Sequence, residues 1–145
     1  MESGYTIGEV MVTEVITAQP EDSIFDCAKK MAKNKISCLI ITDHDEIKGI
    51  VTEQDTSRRV VAENRIPEEV LVEEIMSTNV TGISPEQDLN EAITLMGSNE
   101  VKHLPVVSGK KLKGIITSKD IVVLEPILVE KLKFNSYAKR KREDP

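Results

Sequence analysis

The stretch Gly49-Ile50-Val51-Thr52-Glu53-Gln54-Asp55 ends in an aspartate three residues after a threonine. The stretch Gly114-Ile115-Ile116-Thr117-Ser118-Lys119-Asp120 follows the same pattern. In both stretches a glycine and two apolar residues precede the threonine. The apolar residues predict the end of a β-strand. A threonine with an acid three residues later predicts a variant of the capping box at the start of a helix. The chain therefore contains the same strand-to-helix junction twice.

The two junctions are part of a longer internal repeat. When the chain is compared with itself at a shift of sixty-five residues, without gaps, residues 10–55 match residues 75–120 at many positions. Identical pairs include Met11 with Met76, Thr13 with Thr78, Pro20 with Pro85, Met31 with Met96, Asn34 with Asn99 and Leu39 with Leu104. Apolar residues replace one another at several further positions. A repeat of this kind predicts two copies of one supersecondary unit.

Each copy has the pattern of a strand, a helix, two strands and a second helix. A short extended piece stops at Pro20 or Pro85, because proline disfavours helix at the residue before it. A helix with apolar residues at i, i+4 and i+7 follows over residues 22–34 in the first copy. Two strands over residues 38–42 and 47–51 flank a polar turn. The fold class is therefore predicted to be α/β (α+β), built from two β-α-β-β-α units.

The domain boundaries follow from the repeat. We predict a first repeat over residues 7–64, a linker over 65–72 and a second repeat over 73–128. A C-terminal helix with a basic tail is predicted over 129–145. Because a unit of three short strands and two helices covers only one face of its sheet well, we expect the two copies to pack against each other.

The composition is that of a globular protein without a membrane segment. Hydrophobic residues make up 39% of the 145 residues and charged residues 30%, which fits a folded chain. No apolar run approaches the roughly 18 residues that span a bilayer, and the N-terminus lacks a signal-peptide pattern. Cys27 and Cys38 have neither disulfide nor metal-ligand spacing. We therefore predict a cytoplasmic protein with no metal site and with both thiols reduced.

The charge is unevenly distributed. The net charge is −6, but residues 130–145 carry +3 and the rest of the chain carries −9. An acidic body does not favour non-specific binding of nucleic acid. Only the basic run Lys139–Arg142 could serve that purpose, and such a run is usually a solvated terminus. We therefore favour a solvated terminus over a nucleic-acid contact for this run.

The junction has a structural and a functional explanation that use the same atoms. As a helix cap it contributes about 1 kcal/mol per helix. As a binding site, the helix N-terminus offers N–H groups to a phosphate, and the threonine hydroxyl can donate beside it. The carboxylate one turn later can accept from two vicinal ribose hydroxyls. The glycine permits close approach to the strand backbone, and an adenine ring would lie between apolar strand edges.

The repeat resembles the CBS domain family, named after cystathionine β-synthase. Three features carry the resemblance: the sixty-five-residue spacing, the Gly-x-x-Thr-x-x-Asp pattern that closes each copy, and His103-Leu104-Pro105-Val106-Val107 at the second strand. It covers about residues 7–128. It implies a tandem pair packed pseudo-symmetrically through its sheets, and a module that usually forms a homodimer. It also implies binding of AMP, ADP, ATP or S-adenosylmethionine in up to two clefts between the copies.

The resemblance also assigns the residues of each cleft. The aspartate would hold the ribose, the threonine would contact ribose or phosphate, and main-chain atoms near the first two strands would hold adenine. The first cleft would use Ile16, Thr17, Ala18, Ser37, Cys38, Thr52 and Asp55. The second cleft would use Gly82, Ile83, Lys102, His103, Thr117, Lys119 and Asp120.

The two clefts are expected to differ toward phosphate. In such clefts phosphates reach basic residues of the other copy, and Lys102, His103 and Lys119 would be available to the first cleft. The second would find Ser37 and Cys38, which carry no charge, although Arg58 and Arg59 could assist. We therefore predict that the Thr52–Asp55 cleft is the better site for an anionic nucleotide. The first copy also has Ile40 where the second has Pro105, and a proline is usual at that strand start. This makes the adenine contacts of the first copy differ from the pattern.

Three functions remain open from the sequence. No nucleophile–base pair, metal-ligand cluster or lysine-containing phosphate loop occurs, so we predict that the chain is not an enzyme and uses no catalytic cofactor. The first function is a stand-alone module that binds an adenosine nucleotide and regulates an unknown protein target by energy or metabolite sensing. The second is a structural dimerisation module without ligand. The third is a nucleic-acid-associated regulator that acts through the basic tail.

Overall fold

The computed structural model describes residues 2–124, which fall into two compact units. The first-repeat unit comprises Glu14–Val80 and Gly109–Leu112. The second-repeat unit comprises the described residues up to Thr13, then Thr81–Ser108 and residues 113–124. The C-terminal helix and basic tail predicted over residues 129–145 lie outside the described residues.

The order of elements confirms the predicted β-α-β-β-α pattern and the mixed α/β class. The helices and strands in chain order are α1 (Ile7–Val10), β1 (Thr17–Ala18), α2 (Ile24–Asn34), β2 (Cys38–Asp43), β3 (Glu46–Thr52), α3 (Glu53–Thr56), α4 (Leu89–Asn99), β4 (His103–Ser108), β5 (Lys111–Thr117) and α5 (Ser118–Val122). A π-helical turn at Ser57–Val61 continues α3, and short 3₁₀ turns lie at Pro67–Glu69 and Val72–Glu74. In the second copy the predicted first strand is reduced to a single parallel bridge between Ile83 and Val106.

The sheet of the first-repeat unit brings the candidate residues to one edge. Strand β1 pairs with β2 in parallel, with Thr17 opposite Ile40, and β2 pairs with β3 in antiparallel, with Cys38 opposite Thr52. Because β3 runs antiparallel to β2, the end of β3 lies beside the start of β2, and β1 begins on the other side of β2. The Thr52 junction therefore opens beside the start of β2.

Helix α2 covers this sheet with an aliphatic face. Ser23 caps its first turn by accepting a hydrogen bond from the Asp26 N–H at 3.0 Å, and the helix ends where Lys35 adopts a left-handed conformation. Ile24, Cys27 and Met31 are buried on its inner face. The second copy repeats the arrangement in α4, which buries Leu89, Ala92, Ile93 and Met96.

Each unit is completed by a segment that lies outside its own predicted repeat. In the first-repeat unit the Ile24 N–H donates to the Val70 carbonyl at 2.8 Å, and Val70, Val72 and Ile75 join the core. The segment predicted as a linker therefore supplies core residues. In the second-repeat unit the Leu89 N–H donates to the Tyr5 carbonyl at 3.0 Å, and Ile7 is fully buried. Ile7 is the first residue of the predicted first repeat but packs with the second.

A glycine in the central strand of each unit lies under a methionine of that distant segment. A Cβ atom on Gly49 would lie 2.7 Å from the Met76 sulfur and 2.8 Å from the Ser77 carbonyl oxygen. A Cβ atom on Gly114 would lie 2.7 Å from the Met11 sulfur and would also meet the Val12 carbonyl oxygen. Backbone hydrogen bonds join the same pairs of segments. Only glycine permits this approach.

Replacing Gly49 by alanine is expected to lower the free energy of unfolding by about 2 kcal/mol, because the added methyl group overpacks against a fixed backbone oxygen. Urea unfolding followed by circular dichroism measures the change. Lys48→Ala, at an exposed neighbouring position, is the control and should change stability by less than about 0.5 kcal/mol. A Gly49→Ala chain as stable as this control would show that the strand and the segment can separate without cost.

Candidate functional site

The two strand-to-helix junctions form the predicted capping boxes. At the first junction the Thr52 Oγ1 accepts from the Asp55 N–H at 3.2 Å, and Asp55 Oδ2 accepts from the Thr52 N–H at 2.9 Å. At the second junction the corresponding distances between Thr117 and Asp120 are 3.4 Å and 2.9 Å. The structural explanation of the motif is therefore confirmed in both copies.

The capping bonds use only one oxygen of each carboxylate. Asp55 Oδ2 also accepts from the Thr52 hydroxyl at 3.1 Å, and Asp120 Oδ2 accepts from the Thr117 hydroxyl at 2.9 Å. Within residues 2–124 no hydrogen bond engages Oδ1 of either aspartate, and both side chains are partly exposed. Each junction therefore keeps one negatively charged oxygen, with two lone pairs, available to a ligand.

The helix N-termini offer little to a phosphate, which corrects one part of the functional explanation. The Glu53 N–H donates to the Ser37 carbonyl at 3.0 Å, and the Ser118 N–H donates to the Lys102 carbonyl at 3.0 Å. The third N–H of each first turn is taken by the threonine cap. Helix α3 itself has only four residues. Most amides that a phosphate would need are thus used by the protein.

The role suggested for the glycine is also different. The sequence pattern predicts that Gly49 permits close approach to the strand backbone at a binding site. The structure places Met76 and Ser77 of the chain itself in that position. The glycine therefore serves the assembly of the unit.

The strand edges beside the junctions hold the remaining candidates of each copy. In the first-repeat unit Thr17 and Ala18 form β1, next to β2, while Ser37 and Cys38 lie where β2 begins. In the second-repeat unit the Ile83 N–H donates to the Pro105 carbonyl at 3.1 Å, and Ile83 accepts from the Val107 N–H at 2.9 Å. Both main-chain groups of Ile83 thus face β4. Ile16 precedes β1, Gly82 precedes the bridge, and Lys102 and His103 stand at the start of β4.

The basic candidates differ in whether their side chains are bonded to the protein and in how exposed they are. Arg59 Nη1 donates to the Ile75 carbonyl at 2.7 Å, so this guanidinium fastens the segment that completes the first-repeat unit. Arg58, Lys102 and Lys119 are exposed. His103 is partly buried.

One basic residue outside the predicted set touches a candidate position. Lys30 of α2 donates from Nζ to the Thr17 carbonyl at 2.9 Å, in a partly buried contact. The signal was present in the sequence, because the repeat places Leu95 at the equivalent position of α4. A charged residue in one copy and an apolar one in the other marks a difference between the two sites.

Both thiols are buried and protonated. Cys38, at the start of β2, is 6% exposed, and burial raises the pKa of its thiol to about 12. Burial, with the charge of Asp22, raises the pKa of the Cys27 thiol to about 11. Cys38 can therefore offer a ligand its backbone but not a thiolate.

The described residues contain no group of three or more His, Cys, Asp or Glu side chains that could hold a metal ion. In the same part of the chain, no helix is long and apolar enough to cross a membrane.

The CBS domain family model matches the chain twice, at residues 7–62 and 72–125. The chain therefore belongs to the CBS domain family, as the sequence resemblance indicated, and it carries the domain as a tandem pair.

Individual CBS-domain proteins resemble the chain over most of its length. The uncharacterised protein MK0525 of Methanopyrus kandleri is 38% identical over 126 residues, which are 86% of this chain and 64% of that protein. The chain thus spans about two thirds of this relative. A solved CBS-domain protein from Burkholderia ambifaria is 39% identical, with a TM-score of 0.72, over 76% of this chain and 81% of that one. The CBS domain pair of protein MJ0100 is 30% identical, with a TM-score of 0.75, over 82% of this chain and 94% of that one. That pair was solved in complex with 5′-methylthioadenosine and S-adenosyl-L-methionine.

The native chain is expected to react slowly with a thiol reagent at about pH 8, because a thiolate is the reactive form and both thiols have raised pKa values. In urea both cysteines should react rapidly. Absorbance at the reagent's wavelength counts the modified thiols over time, and Cys38→Ser and Cys27→Ser identify each one. Fast reaction of Cys38 in the folded chain would mean that the start of β2 opens readily.

Proposed function

We propose that the chain is a regulatory module that binds an adenosine-type ligand, namely AMP, ADP, ATP or S-adenosylmethionine, at its Thr–Asp junctions. Binding would change how the module, as a homodimer, acts on a protein target. In this proposal the chain performs no covalent chemistry, and occupancy of the sites is the signal. The observation that carries the proposal is the uncommitted Oδ1 oxygen of Asp55 and of Asp120.

A ribose suits this oxygen. An ionised carboxylate only accepts hydrogen bonds, and the 2′- and 3′-hydroxyls of a ribose are neighbouring donors. Hydrogen bonds to a charged group contribute about 1.5–3 kcal/mol each, which is enough to orient a small ligand. The other oxygen of the carboxylate is fixed by the threonine, so the acceptor is held in place before a ligand arrives.

The MJ0100 complex supports an adenosine ligand whose phosphates are dispensable. 5′-Methylthioadenosine carries no phosphate, and it binds a CBS pair that is 30% identical to this chain. That agrees with the helix N-termini described above, where most first-turn amides are already bonded to the protein. We therefore expect the nucleoside part of the ligand to supply most of the binding energy.

The competing function is a purely structural module. The capping bonds account for the threonine and for half of each carboxylate without any ligand. A thermal-shift panel with AMP, ATP, S-adenosylmethionine and 5′-methylthioadenosine separates the two. A ligand at one hundred times its Kd stabilises the folded chain by about 2.7 kcal/mol. No shift with any of the four would favour the structural module.

The ribose contact is tested by comparing AMP with 2′-deoxy-AMP. The wild-type chain should prefer AMP by about tenfold, the contribution of one hydrogen bond to a charged group. In the Asp55→Asn, Asp120→Asn double variant this preference should disappear. Asparagine keeps an oxygen for the cap but replaces the free acceptor with an N–H donor. Isothermal titration calorimetry measures both affinities.

The matched control removes two charges from equivalent helix positions. Asp26 and Glu91 lie in the first turns of α2 and α4, as Asp55 and Asp120 do in α3 and α5. The Asp26→Asn, Glu91→Gln variant should retain the preference for AMP. If the Asp55, Asp120 variant still discriminated between the two nucleotides, the ribose would be held elsewhere and the proposal would fail.

A further inference from the structure

Lys30 supplies hydrogen-bond donors at the edge of the first-repeat sheet. Its Nζ donates to the Thr17 carbonyl at 2.9 Å. Within residues 2–124 this is the only hydrogen bond that the ammonium makes. An ammonium has three N–H donors, so two of them remain.

The Thr17 carbonyl lies on the outer side of an edge strand. In a parallel pair alternate residues bond to the neighbouring strand. In the second copy Ile83 makes both of these bonds to β4, and Ala18 is its counterpart in the first copy. The residue before each, Thr17 or Gly82, therefore directs its main-chain groups away from the sheet. This outward carbonyl is a natural acceptor for a ligand.

The two copies differ at this carbonyl. In the first copy Lys30 occupies it and adds unused donors. In the second copy Leu95 replaces Lys30, and no described residue donates to the Gly82 carbonyl. The edge of the first-repeat sheet therefore presents N–H donors of Lys30, whereas the edge of the second-repeat sheet presents the Gly82 carbonyl as an acceptor.

A ligand whose ribose lies at the junction extends its base toward this edge. Strand β1 is two strands away from β3, a distance of about 10 Å, and the start of β2 lies between them. That distance is comparable with the length of a purine nucleoside. The 6-substituent lies at the far end of the base from the ribose, and in adenine it is an amino donor, whereas in hypoxanthine or guanine it is an oxygen acceptor.

We propose that Lys30 determines which purine the first-repeat site prefers: its N–H donors favour a 6-oxopurine ribonucleotide there, while the bare Gly82 carbonyl keeps the second-repeat site selective for a 6-aminopurine. The inference rests on the proposed function, since it requires the ribose at Asp55 and Asp120. It narrows that function, because the adenosine-type ligand is preferred only at the second-repeat site and binds the first-repeat site more weakly than a 6-oxopurine ribonucleotide. It assigns a distinct ligand class to each copy of the repeat.

AMP and IMP test this inference, because they carry the same phosphate and differ at the 6-position and the adjoining ring nitrogen. Calorimetric titrations on the Asp120→Asn chain isolate the first-repeat site. There IMP should bind about tenfold more tightly than AMP, and Lys30→Met should abolish or reverse that ratio. In the Asp55→Asn chain, AMP should be preferred, and Leu95→Lys should shift the ratio toward IMP.

The ratio of affinities separates selection from a structural role. If Lys30 only protected an edge carbonyl, its replacement would weaken the binding of both nucleotides equally. Lys30→Arg should retain the preference for IMP, and Lys33→Met, an exposed change on the same helix, should leave it unaltered. An unchanged ratio in Lys30→Met overturns the inference alone. Absence of binding by both nucleotides in both single-site chains overturns the proposed function and the inference together.

Discussion

The close contact between a central-strand glycine and a methionine from a distant segment governs the assembly of each unit. The chain has few aromatic residues, so its cores are aliphatic, and a unit of short strands cannot bury enough surface with its own residues. Gly49 admits Met76, and Gly114 admits Met11. Each glycine stands three residues before the threonine of its junction. The contact that completes the core therefore also fixes the strand that leads into the proposed site.

In the proposed function, one set of atoms at the junction serves stability and binding together. The threonine and one carboxylate oxygen close the helix cap. Because the cap uses a single oxygen, the other is oriented by bonds that exist whether or not a ligand is present. A capping box with serine or threonine and glutamate could perform the same structural task. The shorter aspartate holds its carboxylate nearer the backbone, which favours a rigid acceptor over a mobile one.

The sequence predicted those parts of the molecule that local patterns determine. Periodicity located α2 and the strands, and the threonine–aspartate spacing predicted both caps, because these depend on neighbouring residues. It could not predict that Val70 and Val72 enter the first-repeat core, since a short polar segment carries no periodic signal of its long-range partner. The bond from Lys30 to Thr17 was hidden for the same reason. Nor did the motif predict that the Ser37 and Lys102 carbonyls accept hydrogen bonds from the first amide of α3 and of α5, which a phosphate could otherwise use.

Duplication gives two sites of one design, and the informative positions are those where the copies have diverged. Asp55 and Asp120 are matched in their capping distances and in exposure, so they do not by themselves distinguish one ligand from another. Lys30 and Leu95 differ in charge, in hydrogen bonding and in what they leave at the strand edge. A partly buried ammonium needs hydrogen-bond acceptors from carbonyls, water or a ligand, because its desolvation is otherwise unfavourable. The Thr17 carbonyl provides one such group. The remaining donors are open to water or to an acceptor that a ligand brings, and the proposed purine preference connects this sequence difference to ligand chemistry.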